Sequence, residues 1–216
     1  MDYNNKPDGY FDTIRQEMVR YLPSEARKIM DIGCGTGSFA LHLKETFGVE
    51  AWGIEYVNEH AQEASKVLDR AFSGPCEDFL DMLPNDYFDA IFFNDVLEHM
   101  VDPYEVLQKI KPKLSPNGVI ISSIPNIRSY DTFMKLALKK DWRYEKNGIL
   151  DHTHLRFFTG KSIRRMYEDL GYEIMLHEGI NKTKSLRPIL FNMFVFFTQM
   201  DMRNLQYATV ARAKPS

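Results

Sequence analysis

Cysteine is scarce. Only Cys34 and Cys76 occur in the 216 residues, without a CxxC pair. That excludes a disulfide framework and a cysteine-based zinc site, and it suits a reducing compartment. Long apolar runs are missing too. The most apolar stretch, Pro188 to Met200, is shorter than the roughly 18 residues needed to cross a bilayer, and Asn192, Thr198 and Gln199 interrupt it. The opening residues Met1 to Lys6 lack the basic-then-apolar run of a secretory signal, so a cytoplasmic protein is expected. Internal repeats and low-complexity tracts are absent. What is present builds a core: 44% hydrophobic and 13% aromatic residues exclude a disordered chain.

The net charge of −3 hides an asymmetry. Residues 1–127 carry 11 Lys and Arg against 21 Asp and Glu, whereas residues 128–216 carry 16 against 9. One half suits a cationic ligand and the other an anionic one, unless the two solvated faces merely differ in composition.

Strand-like and helix-like segments alternate, the pattern of a parallel sheet covered by helices. Helical spacing runs from Tyr10 to Leu22 and stops at Pro23. Further helices are expected at Ser38 to Phe47, from an Asn58 cap through Leu68, from Asp102-Pro103 to about Leu114, at Asp131 to Leu138 and at Thr159 to Leu170. Strands are expected at Lys28 to Ile32, Ala51 to Glu55, Ala71-Phe72, Phe88 to Phe93, Val119 to Ile124, Tyr172 to Leu176 and Gln206 to Ala211. Of these, Phe88 to Phe93 is the continuous apolar run of a strand buried on both faces. Arg187 to Arg203 is apolar nearly all round and expected to be helical. No linker divides the chain, so residues 1–216 form one domain with an N-terminal helix (1–24) and insertions at 126–158 and 181–205.

The informative stretch is Asp31-Ile32-Gly33-Cys34-Gly35-Thr36-Gly37, between a strand and a helix. Its glycines permit a sharp turn and a close ligand approach, and the helix start favours an anionic group. No lysine follows them, which rejects a P-loop. The spacing is GxGxG, not the GxGxxG of a dinucleotide fold, which leaves a dinucleotide open but disfavoured. A third candidate ligand is S-adenosylmethionine, whose carboxylate suits the helix start and whose cations suit carboxylates such as Asp31. Glu55, at the end of the second strand, either accepts hydrogen bonds from ribose hydroxyls or is a solvated acid at a strand end. Cys76-Glu77-Asp78 lies where a loop reaches an adenine edge, and Asn94 to His99 follows the fourth strand.

Taken together, the D-x-G-x-G-x-G turn, Glu55, the N-D-V-L-E-H-M-x-D-P stretch (Asn94 to Pro103) and L-S-P-N-G resemble a class I S-adenosylmethionine-dependent methyltransferase. The resemblance spans about residues 25 to 178. It implies a Rossmann-like, doubly wound α/β fold: a mostly parallel seven-stranded sheet with helices on both faces and an antiparallel last strand. It also implies S-adenosylmethionine as methyl donor. Asp31, Gly33, Cys34, Gly35, Gly37, Glu55 and Tyr56 would bind it, with Cys76, Glu77 and Asp78 near adenine. Asn94 and His99 would lie along its methionine, and Tyr10 would reach the methionine end. Many relatives place an Asp where Pro75 stands, so the adenine contact departs from the pattern here.

For the acceptor, Asp151-His152-Thr153-His154 lies in a loop at the ligand-binding edge. A hydroxyl acceptor needs a base, and histidine titrates near neutrality. His154 ahead of His152, with Asp151 orienting, is the expected base, unless the loop's polar groups simply hold its shape. Asp151, His152 and His154 also match a metal set of a kind common by chance, and no metal is expected. The Asp-x-Thr-x-Leu-Arg-Phe-Phe-Thr segment, with Ser123 to Asn126, resembles methyltransferases of bacterial surface-glycan and secondary-metabolite pathways, implying a sugar or small-metabolite hydroxyl as acceptor. Lys135, Lys139, Lys140, Arg143, Lys146 and Arg156, interleaved with Trp142 and Tyr144, suit either RNA or a phosphate-bearing acceptor. Without an RNA module or a basic pI, nucleic acid ranks lower, as do a protein acceptor and a catalytically silent cofactor-binding subunit. The 188–200 segment is expected to be a core helix or a homodimer contact.

Overall fold

The structure is a computed structural model and describes residues 14–214. Strands β1 (Lys28–Ile32), β2 (Glu50–Glu55), β3 (Arg70–Ser73), β4 (Phe88–Asn94), β5 (Leu114–Pro125), β6 (Tyr172–Lys182) and β7 (Asn204–Ala213) form one sheet. Their order is β3-β2-β1-β4-β5-β7-β6. β1 to β5 pair in parallel, and β7 runs antiparallel to both β5 and β6. This is the mostly parallel, doubly wound sheet with a reversed last strand that the sequence implied.

The apolar run in β4 explains why the sheet is covered on both faces. Ile91 and Phe93 enter one core layer with Trp52, Leu107 and Met166, while Ala90 and Phe92 enter the other with Ala40, Leu43 and Ile121. Burying each large apolar side chain contributes roughly 1.5–3 kcal/mol, so this strand anchors both layers.

The helices are α1 (Gln16–Val19), α2 (Ser38–Phe47), α3 (Asn58–Val67), α4 (Pro103–Ile110), α5 (Tyr130–Lys139), α6 (Gly160–Asp169) and α7 (Arg187–Phe194). Asp102 caps α4 by accepting from the Tyr104 and Glu105 amides. Thr159 and Ser162 form a reciprocal capping box at α6.

Several elements differ from expectation. Of the Tyr10 to Leu22 helix, the described part is helical only over Gln16–Val19, and Tyr10 lies outside the described residues. Asn58 is the first helical residue and not the cap; its side-chain oxygen accepts from Ser73 Oγ instead. The helix opened by Pro103 ends at Ile110 and tightens into a 3-10 turn over Lys111–Lys113, where Pro112 has no amide to continue it. β6 runs on to Lys182 and β7 starts at Asn204, so the last connection spans 183–203.

Arg187 to Arg203 is not one helix. α7 stops at Phe194, and Phe196 and Phe197 take positive φ values of 52° and 58° before a short 3-10 turn over Met200–Arg203. The buried Asn192 explains the break. Its amide donates to Pro188 O and Gln199 O, and its side-chain oxygen accepts from the Gln199 amide, folding the chain back on itself.

The strand order reverses between β1 and β4, so the loops leaving these strands diverge and open a crevice at their carboxyl ends.

Candidate active site

That crevice is a cavity of about 700 Å³. Its wall begins with the turn after β1. Gly33 and Gly35 have φ of 72° and 56°, which L side chains seldom adopt. A Cβ on Gly33 would also stand 2.5 Å from Val96 Cγ2, so glycine is required twice over. The Gly33 and Cys34 amides donate to Ile54 O, tying the turn to β2.

Glu55 completes the tie. It is buried, and its two carboxylate oxygens accept from the Gly35 amide and the Val57 amide, each at 2.8 Å. A carboxylate has about four lone-pair sites, so each oxygen keeps capacity for a ligand hydroxyl at the cavity wall. Asp31, at the other side of the turn, is 2% exposed and has a buried Oδ1 without a hydrogen-bond partner. Burial, with Glu55 nearby, pushes its pKa up to about 8. Asn94 adds a side-chain amide whose nitrogen and oxygen are both buried without partners.

Of the expected binding residues, Asp31, Gly33, Cys34, Gly35, Glu55, Tyr56, Cys76, Glu77, Asn94 and His99 line this one cavity. Gly37 does not; it precedes α2 in the left-handed conformation, where a Cβ would crowd the Ala64 backbone, Leu68 and Val67. Asp78 lies outside the lining, while Pro75 and Glu77 form part of the wall.

Two further charged residues stand at the wall. Arg15 and Asp95 form an ion pair at the cavity, 80 positions apart. Asp95 has φ of 56°, and its Oδ1 accepts from Ser123 Oγ and Gln206 Nε2. The Asn-Asp pair after β4 hinted at Asp95; nothing local marked Arg15.

The expected base residues are divided by the structure. His152 is exposed on the loop, with Nδ1 3.4 Å from Asp151 Oδ1. Asp151 is buried, and the same oxygen accepts from the Thr153 amide and hydroxyl, so it shapes the turn. His154 is buried away from the lining, its ring edge-on to His99 at 4.6 Å between centroids. The loop reaches this place because the Leu155 and Arg156 amides both donate to Glu98 O. The metal-like grouping of Asp151, His152 and His154 is therefore not assembled; Glu98, His99 and His154 are the residues brought together. The basic segment is largely exposed, with Lys135 paired to Glu145 and Trp142 edge-on to Phe157.

Among the described residues no helix is long and apolar enough to cross a membrane.

Comparison with known proteins agrees with this geometry. Residues 6–177 match the family described as "Methyltransferase domain". A ubiquinone biosynthesis O-methyltransferase of Histophilus somni is 27% identical over 199 residues, covering 72% of this chain and 83% of that protein. Phosphoethanolamine N-methyltransferase 1 of Triticum aestivum is 25% identical over 122 residues, covering 53% of this chain and 24% of that protein. A SAM-dependent methyltransferase from Archaeoglobus fulgidus shares the fold, with a TM-score of 0.69, 20% identity and 91% of each chain covered. With the glycine turn, the acid at the end of β2 and this sheet order in place, the chain belongs to the methyltransferase domain family as a class I enzyme.

Proposed function

We propose that this enzyme carries the methyl group of S-adenosylmethionine to a hydroxyl of a small metabolite or sugar. The observation that carries the reading is the polar inventory of the cavity: partnerless buried atoms on Asp31 and Asn94 beside a Glu55 held rigid by two amides. Buried polar atoms without partners are costly, and a ligand offering a cation and hydrogen-bond donors satisfies them.

S-adenosylmethionine is the methyl donor, supplying an electrophilic methyl group on a cationic sulfur. Asp31 would face its positive charge, Glu55 would accept from ribose hydroxyls, and Asn94 would hold the methionine portion. The in-line displacement then needs the acceptor oxygen aligned and its proton removed. His99 lines the cavity and His154 packs on it, so we place proton loss at this His99–His154 wall, with His154 acting through its contact with His99. His152, on the solvent side of the loop, has the weaker claim.

An oxygen acceptor is supported by the relatives named as O-methyltransferases, and the N-methyltransferase relative keeps nitrogen as the competing outcome. The exposed basic segment beside the loop favours an acceptor bearing phosphate. Two buried free cysteines suit a reducing cytoplasm, where we place the enzyme. The exposed apolar side chains of 186–197 supply the contact for a homodimer.

The deciding experiment incubates the protein with methyl-labelled S-adenosylmethionine and separated cell fractions. Label on an oxygen of a small metabolite, located by mass spectrometry of the isolated product, is the expected result. Label in RNA or protein overturns the acceptor class, and cofactor binding without label in any fraction makes the chain a silent binding subunit.

A further inference from the structure

Behind His99 lies a cluster that the cavity does not explain. Glu98 and His99 occupy a 3-10 turn after β4, and His154 arrives from the loop before α6. All three are buried, and one ligand atom from each lies within 4.8 Å of the others. His154 Nε2 stands 3.9 Å from Glu98 Oε1.

The outer contacts orient these groups inward. His99 Nδ1 is 3.1 Å from Thr153 O, and His154 Nδ1 is 3.0 Å from Ile149 O. A carbonyl oxygen only accepts, so each ring presents its Nδ1–H outward, and in the neutral form its lone pair sits on Nε2. A metal-bound histidine is commonly fixed in this manner, with the far nitrogen donating to a carbonyl or carboxylate. Glu98 supplies an independent sign: both carboxylate oxygens are buried without a hydrogen-bond partner. A buried carboxylate left without hydrogen-bond donors is costly, a cost that a cation would remove.

We propose that Glu98, His99 and His154 hold one divalent first-row transition-metal ion against the wall of the cavity. Two imidazoles and a carboxylate select zinc, manganese or iron(II), since magnesium and calcium prefer all-oxygen sets. Metal–ligand bonds of about 2.0–2.2 Å require the three side chains to draw together slightly on binding. His99 belongs to both the cluster and the cavity, so the remaining coordination positions open toward the acceptor. There the ion polarises a hydroxyl and eases loss of its proton, and it replaces the imidazole base at this wall, since both rings then use Nε2 for the metal. That use rests on the methyl-transfer reading, whereas ion binding itself does not.

The test uses the full chain without cofactor or acceptor. Chelator-stripped protein is dialysed against zinc, manganese or cobalt(II), and bound metal is measured by mass spectrometry alongside the visible spectrum of the cobalt form. About one ion per chain and cobalt ligand-field bands are expected, with Glu98→Gln and His154→Gln each weakening binding about 10- to 100-fold. His42→Ala, a histidine of α2 outside the cluster, serves as the control and retains full binding. Glu98→Asp, which keeps the charge, covers the case in which a neutral variant fails to fold, and intermediate affinity is expected for it. Stripped wild-type protein that takes up none of the three ions overturns the proposal, as does equal binding by wild type and the folded variants. Calorimetry with S-adenosylmethionine on the same stripped protein reads the donor site separately, so loss of one reading is distinguishable from loss of the other.

Discussion

Asp31 holds a carboxyl that folding alone does not reward. Its pKa rises from 3.8 to about 8 through burial and the neighbouring Glu55, so the folded protein keeps a proton that the unfolded chain has lost. The group costs the fold nothing below about pH 4, costs progressively more up to about pH 8 and stays at that level above it. Asp31→Asn should therefore raise the melting temperature of the ligand-free protein at pH 9 relative to wild type, while weakening S-adenosylmethionine binding; scanning calorimetry and titration calorimetry read the two effects. Binding at pH 7 should release close to one proton, seen as a dependence of the binding heat on buffer ionisation enthalpy, and the variant should abolish that release. Glu55→Ala removes the acceptor for two buried amides as well as the proposed ribose contact. It should lower cofactor affinity at least about tenfold and destabilise the fold by about 1–3 kcal/mol, whereas unchanged affinity in equilibrium dialysis would clear Glu55 of cofactor binding. At this scale the sequence was most legible. Asp31, Gly33 and Gly35 act within one strand-turn-helix unit, and Glu55 ends the next strand, paired in parallel with β1, so their spacing carries their geometry.

Elements were legible where a local signal sets them. The Thr159 capping box places the start of α6 within one residue of expectation, because the cap and its Ser162 partner are three positions apart. Thr159→Ala should cost about 1 kcal/mol, measured by denaturant titration with an unchanged slope. The 187–203 segment went the other way. Apolar residues nearly all round favour a helix, but Asn192 takes three main-chain hydrogen bonds inside the fold and reverses the chain. Nothing in a periodicity pattern weighs a buried amide against helix propensity. Similarly, β6 outruns the expected Leu176 because its partner β7 provides a ladder as far as Lys182 opposite Asn204.

For the whole molecule, the largest question is what covers Leu190, Met193, Phe194, Phe196 and Phe197, all exposed on one connection. The positive φ values at Phe196 and Phe197 are a backbone cost that isolated solvation would not repay. If the homodimer forms there, Phe194→Ser combined with Phe196→Ser should convert a dimer into a monomer in sedimentation equilibrium while leaving cofactor affinity intact. A wild-type monomer at all concentrations would exclude the contact. The proposed acceptor wall is also a whole-molecule property. It exists because the 126–159 connection docks on the turn after β4 through the Glu98 carbonyl, which brings His154 to His99.

By itself the sequence determined the family and the sheet and named most of the polar residues that line the cavity, since hydrophobic periodicity and a short glycine turn act over a few residues. Tertiary structure alone decided that Arg15 meets Asp95, that Glu98, His99 and His154 converge, and that His152 stays outside. Those contacts join residues tens of positions apart. They depend on how connections pack against a finished sheet, a term set by shape and burial that no local pattern records.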